Sequence, residues 1–415
     1  MTKQVVLLAA GKSSRFYPFN DTHKSMFTVC GKPIIGWTLD ALKKLGVKDV
    51  VVVVSKEDKK IIDHLRNYQG FGINLIYQKE PLGMGNALLS AKKSLNEIFI
   101  VGFPHFVNGK IFETLFNQDQ RPKILTDRTE ESWKYGILTV EKGRATGIVE
   151  KPKKGEERSN IRASGCYLLN REFLKTLEKT EPSEYQFESA LDSYMKEDEV
   201  LAVQADSLVI PFKYIWDIVA IKDYILGSMG NKISESSSVS PSAVVKGRVV
   251  IEEGAKVSDF ALVEGPVYIG KNAVVGVHCI LRNYSVLGEG AEIQRYVDCT
   301  RSIIGMNSHI HSGFVGDSII GESVRIGAGF ITANRRIDRG EVGVVVKDEK
   351  VSTRRSNMGV LVGDFVKIGI NVSTMPGVIM GRKSMVGPNT VIMKNIPDET
   401  LVYAEQKLKV THIKK

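Results

Sequence analysis

The sequence predicts two folds in one chain: an α/β domain with a doubly wound, mostly parallel sheet, followed by a parallel β-helix of hexapeptide repeats. Three observations favour this prediction. Strand-like and helix-like patterns alternate up to about residue 227, the first strand runs directly into a glycine turn, and aliphatic residues recur at every sixth position after Gly230. We therefore expect an α/β domain over 1–229 and a solenoid over 230–415.

The first half carries the alternation of strands and helices. Continuous apolar runs, typical of parallel strands covered on both faces, lie at 4–10, 49–54, 73–77 and 98–101. Helical spacing between these runs predicts helices over 34–45 and 86–95. This order predicts a doubly wound sheet, in which a ligand lies beyond the carboxyl ends of the strands.

The second half carries the repeat. Its first series of aliphatic residues is Ile233, Val239, Val245, Ile251, Val257, Val263, Ile269, Val275, Leu281, Leu287 and Ile293. A period of six is neither helical nor alternating, and it indicates coils with three short faces that stack their aliphatic residues inward. The register breaks near Arg301, resumes over 304–326, and is interrupted by a charged segment from about Thr332 to Met358 before a last run over 362–392.

Composition narrows the class of protein. The chain has 415 residues, of which 43% are apolar and 25% charged, with a formal net charge of +10. This charge suits phosphorylated substrates, but the basic residues are interleaved with acidic ones, so we expect no nucleic-acid partner. No apolar run approaches the roughly 20 residues of a membrane span, and the four distant cysteines show no disulfide or metal-ligand spacing. We expect a cytoplasmic protein without a membrane partner.

The glycine turn after the first strand reads Leu8-Ala9-Ala10-Gly11-Lys12-Ser13-Ser14-Arg15. Small residues after a buried strand let backbone N–H groups approach a phosphate, and a nearby arginine adds charge-assisted hydrogen bonds. An ordinary turn between a strand and a helix has the same small residues, so the turn alone leaves both interpretations open.

Further segments follow this turn in a fixed order: Pro18-Phe19-Asn20-Asp21-Thr22-His23-Lys24, Gly31-Lys32-Pro33-Ile34, Gln78-Lys79-Glu80-Pro81-Leu82-Gly83, Val149-Glu150-Lys151-Pro152 and Trp216-Asp217. Together with the turn they resemble the bifunctional sugar-1-phosphate nucleotidylyltransferase/acetyltransferase family of the archaeal type, over nearly the whole chain. The resemblance implies a nucleotide-diphospho-sugar transferase-like first domain and a left-handed β-helix. It also implies nucleotidyl transfer from UTP or dTTP to a sugar-1-phosphate, with release of pyrophosphate.

The resemblance implies a role for each matching residue. The nucleotide would contact Leu8, Ala9, Ala10, Gly11, Ser13, Gln78, Pro81 and Gly83, and the sugar phosphate would contact Gly136, Glu150, Lys151 and Gly165. Arg15 and Lys24 would neutralise the triphosphate, and Asp217 would hold Mg²⁺. Asp217 also precedes an apolar helical pattern, so a helix N-cap is the alternative role for this residue.

One departure bears on activity. The family holds Mg²⁺ with a second aspartate after the fourth strand, and here that position falls on or next to Pro104. Proline has no ligating side chain, and His105 beside it is a poor ligand for a hard cation. Two interpretations remain: an active nucleotidylyltransferase that relies on Asp217 and the nucleotide phosphates, or a catalytically silent regulatory or assembly subunit that binds nucleotide sugars beside an active paralogue.

The solenoid carries a second resemblance. The segments 309–318 and 326–334 resemble the acetyltransferase end of the same family. His311 would be the general base for N-acetylation of an amino sugar by acetyl-CoA, and Asn334 would orient the sugar. Phe314 replaces a tyrosine, and Gly340 and Gly343 stand where related sequences carry lysines, so His311 has a purely structural alternative as well. Solenoids of this family generally form trimers, and we expect a homotrimer.

Overall fold

The computed structural model describes residues 3–116 and 119–413. By its contacts the chain divides into two compact units, one centred on the α/β sheet and one on the solenoid. The first comprises residues 1–14, 20–27 and 32–212, and the second comprises 15–19, 28–31 and 213–415. The domain boundary at residue 229 stays a prediction, because contacts define compact units and not independently folding domains.

The first unit is built on a nine-stranded sheet. Its strands are β1 (Gln4–Ala9), β2 (Asp49–Ser55), β3 (Ile73–Gln78), β4 (Ile98–Gly102), β5 (Lys123–Arg128), β6 (Gly136–Glu141), β7 (Arg144–Glu150), β8 (Ile161–Asn170) and β9 (Val200–Gln204). They lie in the order β3-β2-β1-β4-β8-β5-β9-β7-β6. The three predicted strands after β1 lie where the apolar runs placed them.

Parallel pairing is concentrated in one half of this sheet. Strands β1 to β4 all pair in parallel, and the apolar runs of β1, β2 and β4 are buried on both faces, whereas β3 at the edge is only partly buried. In the other half, β8 runs antiparallel to β4 and β5, and β6 and β7 form an antiparallel hairpin. The hairpin turns at Lys142 and Gly143, both with positive φ, so no crossover helix is needed there.

Helices cover both faces of the sheet. They are α1 (Ile34–Lys44), α2 (Lys59–Arg66), α3 (Gly83–Ser90), α4 (Lys110–Glu113), α5 (Arg171–Lys179) and α6 (Gln186–Glu197), with 3-10 turns at Ser14–Phe16, Lys24–Met26, Lys92–Ser94 and Ser132–Lys134. The helix predicted over 86–95 begins earlier, at Gly83, and gives way to a 3-10 turn after Ser90. The early start is stabilised by Gln78, whose side chain bonds the first turn of α3.

The second unit is the predicted β-helix, with three parallel sheets that each receive one strand per coil. The first sheet contains Lys232–Ile233, Val249–Ile251, Val267–Ile269, Ser285–Leu287, Ile303–Ile304, Ile319–Ile320, Leu361–Val362 and Ile379–Met380. The second contains Ser238–Val239, Lys256–Val257, Val274–Val277, Glu292–Arg295, His309–Ile310, Arg325–Ile326, Lys367–Ile368, Met385–Val386 and Leu401–Val402. The third contains Val244–Lys246, Leu262–Glu264, Ile280–Arg282, Val297–Thr300, Gly313–Gly316, Phe330–Thr332, Ser373–Thr374 and Val391–Ile392.

The solenoid core consists of the inward residues of the repeat. From Ile251 to Ile293 every predicted aliphatic residue is buried, and Cys299 fills the inward position at the break near Arg301. The prediction is wrong for Ile233, whose side chain is 54% exposed, because no coil precedes it to cover this end. The charged excursion leaves the coils after Thr332 and forms an antiparallel hairpin of Gly343–Val346 and Glu349–Ser352.

Helix α7 (Ile218–Ser228) packs on the solenoid. The ammonium of Lys222, which is fully buried, donates to the carbonyl oxygen of Tyr284 at 2.5 Å, and the guanidinium of Arg248 donates to that of Gly227 at 2.5 Å. Although α7 precedes the predicted boundary at residue 229, its contacts group it with the coils, and the boundary stays a prediction. No helix in the described part of the chain has the length and apolar character needed to cross a bilayer.

Candidate active site

A cleft of about 320 Å³ lies at the carboxyl ends of β1, β2 and β3. Its lining includes Ala10, Gly11, Ser55, Asp58, Gln78 and Pro81. This is the edge of a parallel sheet at which ligands are generally bound. The structure therefore brings together four of the residues predicted to contact the nucleotide, Ala10, Gly11, Gln78 and Pro81. Leu8 and Ala9 lie just before them in β1 with buried side chains, so only their backbone groups are available.

The turn that follows β1 leaves open space at Gly11 and includes a left-handed residue at Ser13. A side chain at Gly11 would meet no atom within 4 Å, so this position is open to a ligand. Ser13 holds a left-handed backbone conformation with φ of 53°, which favours glycine. Its Oγ accepts a hydrogen bond from the backbone N–H of Lys24 at 2.9 Å. The serine that replaces the family glycine thus keeps the glycine conformation and ties the turn to the next segment.

Gln78 connects the cleft to α3. Its Nε2 donates to Oδ1 of Asn86 at 2.8 Å and to the carbonyl oxygen of Gly83 at 3.3 Å. Gly83 has φ of 92°, and a Cβ there would lie 2.7 Å from the carbonyl oxygen of Glu184. Only glycine fits at this close approach. Gln78 therefore positions the loop 79–83, as well as lining the cleft.

Lys24 has its ammonium engaged within the first unit. Nζ donates to the carbonyl oxygen of Phe212 and lies 5.3 Å from the centre of the Phe212 ring. Lys24 begins a 3-10 turn whose preceding residue, His23, is buried and accepts from the N–H of Ser25. Burial, with a smaller effect of Lys24, lowers the pKa of His23 to about 3. His23 is therefore a neutral structural residue, and Lys24 must release Phe212 to reach a phosphate.

The position of the family's first metal ligand is filled by an aromatic cluster. His105 is buried beside Pro104, with its ring centre 5.8 Å from that of Phe103, 4.6 Å from Phe106 and 5.4 Å from Phe212. Its Nδ1 is buried, and no described residue forms a hydrogen bond with it. Burial is the main cause that holds the pKa of His105 well below its usual range. Pro104 itself has no carboxylate oxygen to offer.

Asp217 serves a backbone role in the second unit. Its Oδ2 accepts the N–H groups of Lys213 at 2.6 Å and Tyr214 at 2.7 Å and closes the 3-10 turn Ile215–Asp217 before α7. Over residues 3–116 and 119–413, no three His, Cys, Asp or Glu side chains are grouped to hold a metal ion. Mg²⁺ is usually held by one or two carboxylates together with substrate phosphates and waters, so its binding does not require such a group. The metal role of Asp217 stays a prediction.

The predicted sugar-phosphate residues meet at the ends of β6 and β7. Gly136 lies directly opposite Glu150, and a Cβ at Gly136 would lie 2.8 Å from Oε2 of Glu150. Lys151 follows with φ of 47°, and its Nζ lies 3.0 Å from the hydroxyl of Tyr185 and 3.7 Å from Oε1 of Glu150. A carboxylate beside a partly exposed ammonium suits a ligand that carries hydroxyl groups and a phosphate.

Gly165 requires glycine for two reasons. Its φ is 80°, and a Cβ would lie 2.7 Å from the ring of Phe103.

Sequence reasoning missed one further residue of this unit, Glu188. Glu188, in the first turn of α6, has a buried Oε2 without a hydrogen-bond partner. The sequence does not show that this oxygen is buried and unpaired, because the residues that surround Glu188 come from strands distant in the chain.

The solenoid has a groove of about 590 Å³ on its second sheet. His311 lines it, together with His309, Arg325 and Lys367, beside apolar side chains such as Met385. An exposed imidazole next to cationic and apolar groups suits an acyl thioester with phosphate groups. This arrangement agrees with the role predicted for His311 without testing it.

Asn334 lies on a different sheet of the solenoid from His311. It follows a strand of the third sheet, and its Nδ2 donates to Oδ2 of Asp317 at 2.5 Å. Asp317 also accepts from the guanidinium of Arg301 at 2.6 Å. Asn334 does not line the groove of His311 within this chain, so the two predicted residues are not brought together there.

Arg15, the arginine predicted to neutralise the triphosphate, follows the glycine turn. It is exposed and belongs by its contacts to the second unit.

Known proteins match both halves of this chain. Residues 4–226 match the nucleotidyl transferase family, and residues 244–342 match the GMPPB C-terminal domain. A UDP-glucose pyrophosphorylase structure from Acinetobacter baumannii covers 55% of this chain and 95% of its own, at 23% identity and a TM-score of 0.47.

Relatives extend over nearly the whole length. The bifunctional protein GlmU of Methanocaldococcus jannaschii is 34% identical over 97% of this chain and 98% of its own. The bifunctional sugar-1-phosphate nucleotidylyltransferase/acetyltransferase of Sulfurisphaera tokodaii is 31% identical over 94% of this chain and 97% of its own. The predicted resemblance is confirmed: the chain belongs to the nucleotidyl transferase family, among the bifunctional sugar-1-phosphate nucleotidylyltransferase/acetyltransferase proteins.

Proposed function

We propose that this protein transfers a nucleotidyl group from UTP or dTTP to a sugar-1-phosphate and releases pyrophosphate. The cleft that gathers Ala10, Gly11, Gln78 and Pro81 at the carboxyl ends of three parallel strands is the observation that carries this proposal. The membership of the chain in the nucleotidyl transferase family supports the same reaction.

In this reaction an oxygen of the sugar phosphate forms a bond to the α-phosphorus, and the bond from that phosphorus to the bridging oxygen of pyrophosphate breaks. The protein contributes mainly by positioning the two phosphates and neutralising their charge. Backbone N–H groups of the turn at Gly11 would hold the triphosphate, and Lys24 would join them after leaving Phe212. Lys151 would hold the phosphate of the sugar, while Glu150 would accept hydrogen bonds from its hydroxyl groups.

Pyrophosphate release tests the proposal. The full chain would be incubated with Mg²⁺, each common nucleoside triphosphate, and a panel of hexose-1-phosphates and amino-hexose-1-phosphates. We expect turnover with a pyrimidine nucleotide and at least one sugar phosphate. Lys151→Met should reduce kcat/KM by about tenfold to a hundredfold, because a charge-assisted hydrogen bond to the phosphate is lost.

The exposed neighbour Lys153 provides the matched control, because Lys153→Met makes the same change in charge outside the cluster of Glu150 and Tyr185. This variant should keep wild-type kinetics. Absence of turnover with every pair, from a folded protein, would contradict the proposal.

A second candidate function is favoured by the aromatic cluster around His105. Pro104 offers no ligand, and the ammonium of Lys24 is engaged by Phe212, as expected for a subunit that binds nucleotide sugars without making them. Such a protein would bind UDP-glucose or dTDP-glucose in calorimetry but release no pyrophosphate. Activity gained on Pro104→Asp would support this silent function, and turnover by the wild type would exclude it.

The groove at His311 supports acetyl transfer from acetyl-CoA to an amino sugar as an additional activity. His311 would take a proton from the sugar amine as the amine attacks the thioester carbonyl and displaces the thiolate of coenzyme A. Asn334 lies outside this groove within one chain, so we propose that a homotrimer completes the site with a neighbouring copy. Release of free thiol with glucosamine-1-phosphate, lost in His311→Ala, is the expected result.

A further inference from the structure

Residues 15–19, here called the strap, connect the glycine turn to the next segment that lines the cleft. By its contacts the strap belongs to the second unit, whereas residues 1–14 and 20–27 on either side of it belong to the first. The strap begins with Arg15, the residue predicted to neutralise the triphosphate. Three of its apolar side chains are buried, those of Phe16, Pro18 and Phe19. Packing within the second unit therefore holds the strap in place.

The remaining residue of the strap, Tyr17, is bonded to the end of the solenoid. Its hydroxyl donates to Oδ1 of Asp398 at 3.0 Å. The same oxygen accepts the backbone N–H of Arg382 at 2.7 Å, so the carboxylate is held by its own coils. Asp398 lies between Ile396, which is buried in the solenoid core, and the last strand Leu401–Val402. This bond ties the strap to the last coil within the second unit.

The direction of this hydrogen bond is fixed by the state of the phenol. Burial, followed by the bond to Asp398, raises the pKa of Tyr17 above its usual range. The phenol is therefore protonated near neutral pH and donates to an ionised carboxylate. Hydrogen bonds with a charged partner are roughly twice as strong as neutral ones.

A second segment, residues 28–31, leaves the cleft side in the same way. It follows residues 20–27, which contribute to the lining of the cleft, and it too belongs by its contacts to the second unit. Val29 is fully buried, and Gly31 has φ of 76°. A Cβ at Gly31 would clash with the hydroxyl of Tyr268, on the first sheet of the solenoid. Residues 20–27 are thus joined at both ends to segments packed in the second unit.

The position of Arg15 depends on Tyr17 through the chain itself. Two residues of extended chain span at most about 7 Å, so a displacement of Tyr17 is passed on to Arg15. Groups that neutralise charge in phosphoryl chemistry act through their alignment, and misplacement by about 1 Å is costly. Apolar packing is not directional, whereas a hydrogen bond between two polar atoms fixes where the strap lies.

We propose that Tyr17 and Asp398 are positioning residues for the triphosphate, because their hydrogen bond fixes the strap that carries Arg15 and leads to Lys24. This inference rests on the proposed nucleotidyl transfer and deepens it. The end of the solenoid, which contains no residue predicted to contact the nucleotide, controls how tightly the triphosphate is bound.

Nucleotide binding tests this inference separately from turnover. Dissociation constants would be measured by calorimetry on the full chain for UTP, dTTP, UMP and dTMP. The monophosphates keep the base, the sugar and the α-phosphate, and they lack the charges that Arg15 and Lys24 are predicted to neutralise. We expect Tyr17→Phe to raise the Kd of the preferred triphosphate by about fivefold or more, and that of its monophosphate by less than about twofold.

A general loosening of the cleft would weaken both nucleotides equally, so the difference between them identifies a positioning role. Asp398→Asn keeps an oxygen that can accept from Tyr17, and it should weaken the triphosphate less than Tyr17→Phe does. Adding Asp398→Asn to Tyr17→Phe should cause no further loss, because the bond is already absent. Tyr403→Phe removes the hydroxyl of an exposed tyrosine near the same end of the solenoid and should keep wild-type affinities.

A triphosphate Kd in Tyr17→Phe within about twofold of the wild type would overturn the inference, and so would an equal loss of affinity for the monophosphate. Failure of the proposed function looks different, because the wild type would then bind the triphosphate without releasing pyrophosphate, and the comparison of Kd values would still decide the role of Tyr17. Binding of neither triphosphate by the folded wild type would overturn both proposals.

Discussion

Two site residues, Ser13 and Lys151, hold backbone conformations that favour glycine. Their φ angles are 53° and 47°. Such conformations cost of order 1 kcal/mol each and persist where the surroundings determine them. Here Ser13 is held by the N–H of Lys24, and the N–H of Lys151 donates to the carbonyl oxygen of Tyr135 at 3.0 Å. The strained backbone therefore lies at Ser13 and Lys151, the two positions near which phosphate groups are predicted to bind.

The absence of a side chain at Gly136 leaves room for the carboxylate of Glu150. We expect Gly136→Ala to raise the KM for the sugar-1-phosphate by about tenfold or more, because a displaced binding group loses its alignment. Stability should change by less than about 1 kcal/mol, since the carboxylate end of Glu150 can rotate away from the new methyl group. Steady-state kinetics and urea unfolding measure the two effects.

Gly72→Ala is the matched control, because its Cβ would meet no atom within 4 Å. This variant should leave the KM unchanged. A Gly136→Ala enzyme with the wild-type KM would show that Glu150 does not contact the sugar.

Glu188 should also make stability depend on pH. Its pKa rises on folding, to about 7, so the folded protein binds more protons than the unfolded chain between about pH 4.5 and 7. Its contribution is therefore fully present below pH 4.5 and is lost as the pH rises towards 7. We expect Glu188→Gln to gain about 1–3 kcal/mol relative to wild type between pH 4.5 and 8. Urea unfolding at both pH values checks this, and an equal difference at both would contradict it.

At the scale of elements, α7 depends on a single buried cation. The ammonium of Lys222 reaches the carbonyl oxygen of Tyr284 and lies 2.9 Å from the carboxylate of Asp223, and burial lowers its pKa. Its aliphatic stem packs in the same place, so the side chain contributes through both hydrogen bonding and packing. This explains why a helix with an ordinary amphipathic sequence belongs with the coils.

We expect Lys222→Ala to lower the free energy of unfolding by about 2–4 kcal/mol, through the cavity and the unpaired carbonyl and carboxylate oxygens left behind. The exposed lysine Lys271 serves as control, because its weak ion pair with Glu253 at 3.4 Å is solvated. Lys271→Ala should change stability by less than about 0.5 kcal/mol. Equal unfolding midpoints for the two variants in urea would show that Lys222 does not hold α7.

At the scale of the whole molecule, the solenoid presents apolar side chains to solvent. Met385 and Leu401 beside the groove are 47% and 62% exposed, and Val391 on the third sheet is 58% exposed. Apolar groups exposed along an extended surface are typical of sites of association. They support the proposed homotrimer, which would also bring a second copy to the groove of His311.

Sedimentation equilibrium on the full chain measures this state. We expect a mass three times the 45.9 kDa of one chain. Replacement of Leu401 by Glu should shift the protein towards monomer and reduce acetyl transfer, because a buried unpaired charge is costly at an interface. The exposed Ile233, at the open end of the solenoid, offers Ile233→Glu as a control that should stay trimeric. A monomeric wild type with full acetyltransferase activity would contradict the proposed trimer.

The sequence by itself determined the two architectures. Continuous apolar runs specified the parallel strands β1 to β4, and the six-residue period specified the coils, because the burial pattern of a single element depends on residues that are close in sequence. The order of the motifs also predicted the site residues Gly11, Gln78, Glu150 and Lys151, and their roles stay predictions. The sequence alone also showed that proline stands at or next to the position of the family's metal-binding aspartate, because a missing carboxylate can be read directly from the residue type.

Only the tertiary structure decided how the polar groups are paired. It engaged Lys24 with Phe212, gave Asp217 a backbone role and grouped α7 by its contacts with the coils. Within the described ranges it also left Oε2 of Glu188 without a hydrogen-bond partner. The hydrogen bonds of Lys24 and Lys222 join residues far apart in the chain. Local patterns fix which faces are apolar, whereas the pairing and pKa of a polar group depend on what distant segments bring to it.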